Sequence, residues 1–125
     1  MTPPIFTTIS ASAAVKVLLG SSPVRFYPFD LAPQPGTSFY SLPYAVWQIV
    51  TGMPENYLGE VPDVDRYTIQ IDVYGKTSTE VRSVVEALRD AIEPHAYVTR
   101  WGNESTDPET GLNRYGFDVD WHVTR

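Results

Sequence analysis

Between residues 66 and 74 the chain reads RYTIQIDVY, an alternation of apolar and polar side chains. Tyr67, Ile69, Ile71 and Val73 fall on one side, and Arg66, Thr68, Gln70, Asp72 and Tyr74 on the other, the pattern of a strand with one buried and one wet face. Gly75-Lys76 turns the chain. Thr77-Ser78-Thr79-Glu80 then has the form of a capping box, with Thr77 as cap and Glu80 reaching back. Val81, Val84, Val85, Leu88 and Ile92 follow at helical spacing and form one stripe, which predicts a helix ended by Pro94. Residues 96–101 read as a short strand. Residues 114–124 alternate again, with Tyr115, Phe117, Val119, Trp121 and Val123 against Arg114, Gly116, Asp118, Asp120, His122 and Thr124.

The first third is less regular. Ile9, Ala13, Val17 and Leu18 lie near one stripe and predict a helix over 6–19, with Thr7 or Thr8 as cap and Gly20 at its C-terminal end. VRFYPF (24–29) predicts a short strand that Pro28 confines to a sheet edge. Residues 30–42 form a long Pro/Gly connection. In PYAVWQIVT (43–51) both faces are largely apolar, which predicts a strand covered on both sides. The order is α-β-β-β-α-β-β. It predicts an α+β two-layer sandwich: a mainly antiparallel sheet of about five strands with two helices on one face. The length of 125 residues predicts one domain over 1–125. As an antiparallel meander, the sheet would send connection 52–65 to one end and connections 30–42 and 101–113 to the other.

Charge adds a second layer. The net charge is -6, which argues against diffuse attraction to nucleic acid or anionic lipid. Residues 52–65 contain Glu55, Glu60, Asp63 and Asp65 and no base, and residues 101–113 contain Glu104, Asp107 and Glu109 and no base. These two segments hold 7 of the 15 acids, and the remaining 8 nearly match the 9 bases. The acidity is therefore expected in two connections. Each would be 13 or 14 residues long, above the usual median of about 4–6. Tyr57 and Leu58 lie inside the first, between Glu55 and Glu60, and Trp101 opens the second. Aromatic and aliphatic side chains in a polar rim are a docking pattern. Glu55, Tyr57, Leu58, Glu60, Trp101, Glu104, Asp107 and Glu109 are accordingly the candidate interface residues.

Little points to catalysis. The chain has no cysteine, which removes a disulfide framework, a thiolate metal site and a cysteine nucleophile together. There is no nucleophile elbow and no Gly-rich phosphate loop. Asp118, Asp120 and His122 share the polar face of the last strand and form the one candidate metal or enzymatic set. Neighbours two apart on a strand converge poorly on one ion, so a neighbouring strand would have to contribute, with Asp72 the obvious donor. No apolar run of membrane-spanning length exists. The N-terminus lacks the basic start of a signal peptide and reads as a helix of the mature domain.

Several of these stretches resemble the tail completion proteins of long-tailed phages, also called tail-to-head joining or tail terminator proteins. The resemblance lies in the early helix closed by LLG, the strand VRFYPF, the Pro-Tyr-led strand PYAVWQIVTG, and DRYTIQIDVYGKTSTEV with its Thr-capped helix. The segment from Trp101 onward carries least of it. It implies a virion structural protein of the tail neck that passes through the host cytoplasm during assembly and needs no cofactor. Its partners would be further copies of itself in a ring, a homo-hexamer, together with the tail tube protein and the head-tail connector protein. Genomic DNA would pass through the lumen unbound, and no membrane would be involved. A connector stopper or tail-tube subunit is the neighbouring alternative, and a small metal-binding or enzymatic domain using Asp118, Asp120 and His122 is the distant one.

Overall fold

The computed structural model of the protein describes residues 2–21, 23–34, 36, 41–56, 59 and 61–125. Its elements are α1 (Ile5–Ser10), α2 (Ala13–Leu19), β1 (Phe26–Pro28), a 3-10 turn (Phe29–Leu31), β2 (Tyr44–Pro54), β3 (Val64–Gly75), α3 (Ser78–Ile92), β4 (Tyr97–Thr106) and β5 (Asn113–Thr124). The strands form one five-stranded sheet in the order β1-β2-β3-β5-β4. Helices cover one face, so the fold is the expected α+β sandwich.

The centre follows directly from the alternation. β3 and β5 pair antiparallel from Val64↔Thr124 to Gly75↔Asn113 without a register shift. This places Ile69, Ile71 and Val73 beside Phe117, Val119 and Trp121 on one buried face. α3 lies over these two strands and buries Val81, Val84, Val85, Leu88 and Ile92 in the same cluster. Its cap is as expected at Thr77, whose Oγ1 accepts the Glu80 N–H at 3.1 Å. The reciprocal bond differs slightly: the Glu80 carboxylate accepts from the Lys76 N–H, one residue before the cap.

The margins depart from the sequence expectation in four ways. The predicted first helix is two helices, because the Ser12 Oγ accepts from the Val15 N–H and starts α2 anew. The break shifts the buried stripe to Ile5, Ile9, Val15 and Leu19, and leaves Val17 83% exposed. Secondly, β1 pairs parallel with β2, not antiparallel, through Phe26↔Ala45 to Pro28↔Trp47. The connection from 29 to 43 therefore has to return to the end of the sheet at which β1 began. Thirdly, β2 is covered on one face only. Ala45, Trp47 and Ile49 pack on the core, while Val46 and Gln48 are half-buried on the helix-free side and Val50 is exposed. Fourthly, β4 runs to Thr106 rather than ending at Trp101, so connection 101–113 shrinks to residues 107–112.

Asp65 is the one buried charged residue among the described residues, at 6% exposure. Arg125 donates to both of its carboxylate oxygens, at 2.9 and 3.1 Å. That hydrogen bonding outweighs burial and holds the Asp65 carboxyl below its ordinary range. A depressed folded-state value stabilises the fold above the ordinary carboxylate range, and the contribution is lost as pH falls through the folded value.

Two outcomes follow. Arg125→Ala should lower the melting temperature at pH 7, and the gap to the parent should close as pH drops below about 4; a gap independent of pH would mean that Arg125 acts by packing and not through the Asp65 charge. Leu88→Ala should cost about 2–5 kcal/mol in urea unfolding with an unchanged m-value, since Leu88 is fully buried mid-stripe.

Candidate functional site

Three surfaces carry unspent interaction capacity: the two margins of the sheet and its helix-free face. β4 has a neighbouring strand on one side only, and β1 covers just Ala45–Trp47 of β2. Open edges are templates for further pairing and are usually blunted by bulges or charge. Both edges here are irregular. β4 shifts register against β5 between Val98 and Arg100 and again between Trp101 and Glu104, and β2 shifts against β3 between Ile49 and Thr51.

The β4 margin contains Trp101, which the sequence places at the end of a short strand, and Glu104, which it places in the connection beyond. Both lie in the strand and face α3. Trp101 packs at 5.3 Å between ring centroids on Phe117 and at 6.2 Å on Tyr115, yet remains 46% exposed. Glu104 accepts two hydrogen bonds from the Arg82 guanidinium, at 3.1 and 2.9 Å. With Val85, Glu86, Arg89 and Tyr115 they enclose a groove of about 280 Å³. The α3 side of this groove was readable in principle: residues 82, 86 and 89 repeat at helical spacing beside the apolar stripe.

β4 presses closely on β5 beyond this groove. A Cβ at Gly102 would sit 2.6 Å from the Gly116 carbonyl oxygen, so the position requires glycine. Gly116 in turn makes room for the Asp72 side chain, which lies 2.5 Å from where its Cβ would be and accepts from Arg114 at 3.2 Å.

The other candidates are dispersed. Glu55 lies at the end of β2, 3.8 Å from both Arg66 and His122. Asp107 and Glu109 lie at the opposite end of the sheet, in the β4–β5 turn. Asp107 is occupied there, accepting the Glu109 N–H on its carboxylate and the Gly111 N–H on its carbonyl. Tyr57, Leu58 and Glu60 lie outside the described residues. Asp118, Asp120 and His122 share a face as expected but do not converge. Asp118 accepts from Arg100 at 2.8 Å, Asp120 accepts from Thr68 at 2.8 Å, and His122 sits edge-on to Tyr97. Among the described residues no group of three His, Cys, Asp or Glu side chains is placed to hold a metal ion.

On the helix-free face Asp120 meets only the Thr68 hydroxyl among the described residues. The arginines of that face are each taken by a carboxylate: Arg66 by Glu55, Arg100 by Asp118 and Arg114 by Asp72.

The geometry is that of a small α+β sandwich with two open margins and a polar face whose arginines are paired. The chain belongs to the tail completion protein gp17 family, matched over residues 3–124. It is accordingly a structural protein of the phage tail. Its fold is similar to a chain in the structure of the virion of a native gene transfer agent particle, with a TM-score of 0.68 at 12% identity, covering 97% of this chain and 92% of that one. It is also similar to the bacteriophage SPP1 gp17 protein, with a TM-score of 0.52 at 11% identity, covering 97% of this chain and 86% of that one. No curated protein matches the sequence.

Gly102→Ala should destabilise the protein by about 1–3 kcal/mol, the usual cost of forced overpacking. Hydrogen exchange should speed up selectively in β4, and uniform protection in the variant would contradict the close approach.

Proposed function

We infer that the chain closes the head-proximal end of the tail as a ring of identical subunits, six by the family resemblance. In this role it stops tube growth, meets the tail tube protein on one side and the head-tail connector on the other, and lets DNA through its centre. It acts by assembly and not by catalysis. The observation that carries this reading is the pair of open, unlike margins on opposite sides of one sheet. A contact between two different patches is heterologous and propagates around a ring. The bulges on both margins support a subunit that resists pairing until a template aligns it.

Two further features fit. The β2–β3 connection, flanked by Glu55, and the β4–β5 turn with Asp107 and Glu109 emerge at opposite ends of the sheet, as an adaptor with two faces needs. The helix-free face, turned to the lumen, would offer phosphate no uncompensated cation, because its arginines are already paired. Glu55, Trp101, Glu104, Asp107 and Glu109 are the described residues proposed to contact neighbours, with Tyr57, Leu58 and Glu60 proposed on sequence grounds.

A map of the assembled particle tests the reading. Several copies in a closed ring at the head-proximal end of the tail are expected. A single copy, or density elsewhere than the neck, would overturn it.

A further inference from the structure

The helix layer is narrower than the sheet beneath it. α3 lies over β3 and β5. α2 leads into β1, with the Arg25 N–H bonded to the Leu19 carbonyl at 2.8 Å, so the α1–α2 pair stands on the opposite side from β4. The inner face of β4 consequently lies beside α3 and not beneath it. What remains is the groove of about 280 Å³ with Trp101 and Tyr115 as its floor and Arg82, Glu86, Arg89 and Glu104 in its wall. Small-molecule sites usually span about 300–1,000 Å³. This groove is of a size for one or two side chains.

The far margin of the sheet has the converse shape. In the 3-10 turn after β1, Phe29 and Leu31 are each 64% exposed. They flank Asp30, the only charged residue between Phe26 and Pro43, which forms no ion pair among the described residues. An exposed apolar–acid–apolar turn thus projects from one side of the molecule, and an aromatic groove with a mixed wall of arginines and glutamates opens on the other.

We propose that these are two halves of one contact, in which the Phe29–Leu31 turn of one copy seats in the Trp101 groove of the next. This rests on the ring reading and names the residues that join it. Phe29 and Leu31 supply apolar anchors to the exposed Trp101, and Asp30 meets Arg89. Arg82 is held by two hydrogen bonds from its guanidinium to Glu104, whereas Arg89 meets Asp90 and Glu93 only through exposed contacts at the surface, which are worth little. Trp, Tyr and Arg are the residue types that dominate interface energetics.

Strand direction agrees. β1 is parallel to β2, β2 antiparallel to β3, β3 antiparallel to β5 and β5 antiparallel to β4. β4 therefore runs opposite to β1 and β2. Rotation about an axis along the strands brings β4 of one copy beside β1–β2 of the next in antiparallel sense. The unlike halves make the contact heterologous, so an open row of copies keeps one free half at each end until the ring closes.

The absence of cysteine makes the contact directly testable. Particles are assembled with a chain carrying Leu31→Cys and Glu86→Cys, and with each single variant, then mildly oxidised and run without reductant. The double variant should give a ladder of covalent oligomers extending past the dimer, collapsed by reductant, and the single variants should stay monomeric. Adding the surface change Asp30→Lys should lower the cross-linked fraction at least fivefold. Several copies per particle by quantitative mass spectrometry, with no ladder, would overturn the pairing and leave the ring standing. One copy per particle would overturn the ring, and this pairing with it. Dimers from Leu31→Cys alone would show a like-to-like contact and overturn the pairing.

Discussion

The unbroken pairing of β3 with β5 is the constraint on which the other elements depend. Over the 12 residues of each strand the register never shifts, so the two alternations stay in phase from end to end. One plane of apolar side chains results, wide enough for the α3 stripe, and one plane of polar side chains lies behind it. A slip of one residue would turn both planes inside out. Irregularity is confined to the pairings further out, β2 with β3 and β4 with β5. A regular centre with irregular margins suits a subunit whose core is settled alone and whose edges are settled by neighbours.

What the sequence made legible follows from the same division. β3, α3 and β5 were readable because burial there obeys a single period. β4 was read too short because its outer half lies on an edge and beyond the cover of a helix, where Gly102, Asn103 and Ser105 need no apolar alternation. α1 and α2 were read as one helix because the apolar stripe, taken alone, runs through Ser12, whose side chain starts a new helix instead. The direction of β1 was not readable at all: three residues carry no sign of parallel or antiparallel pairing, which is decided by the course of the connection to β2.

The candidate surfaces were only half legible, for an electrostatic reason. Counting acids in local windows suggested two free acidic connections. In the fold, several of those acids are balanced by cations distant in sequence: Glu104 by Arg82, 22 residues away, and Asp65 by Arg125, 60 residues away. Pairing of this kind turns a local excess into a neutral surface. The surfaces that remain unsatisfied, the Trp101 groove and the Phe29–Leu31 turn, involve two acids that form no ion pair among the described residues, Glu86 and Asp30. The same fold persists in solved structures that share only 11–12% identity with this chain.

The bulge in β2 bears on that persistence. Ile49 pairs with Ile69 and Thr51 with Thr68, so Val50 is one residue more than the ladder requires. It lies beyond the stretch that β1 covers, where no strand on the outer side has to follow the shift. Removing it would leave both flanking pairs facing as they do now. Val50 is slack in the sheet: the strand can lose one residue there, and shorten the hairpin that reaches toward one end of the molecule, without moving the core pairs.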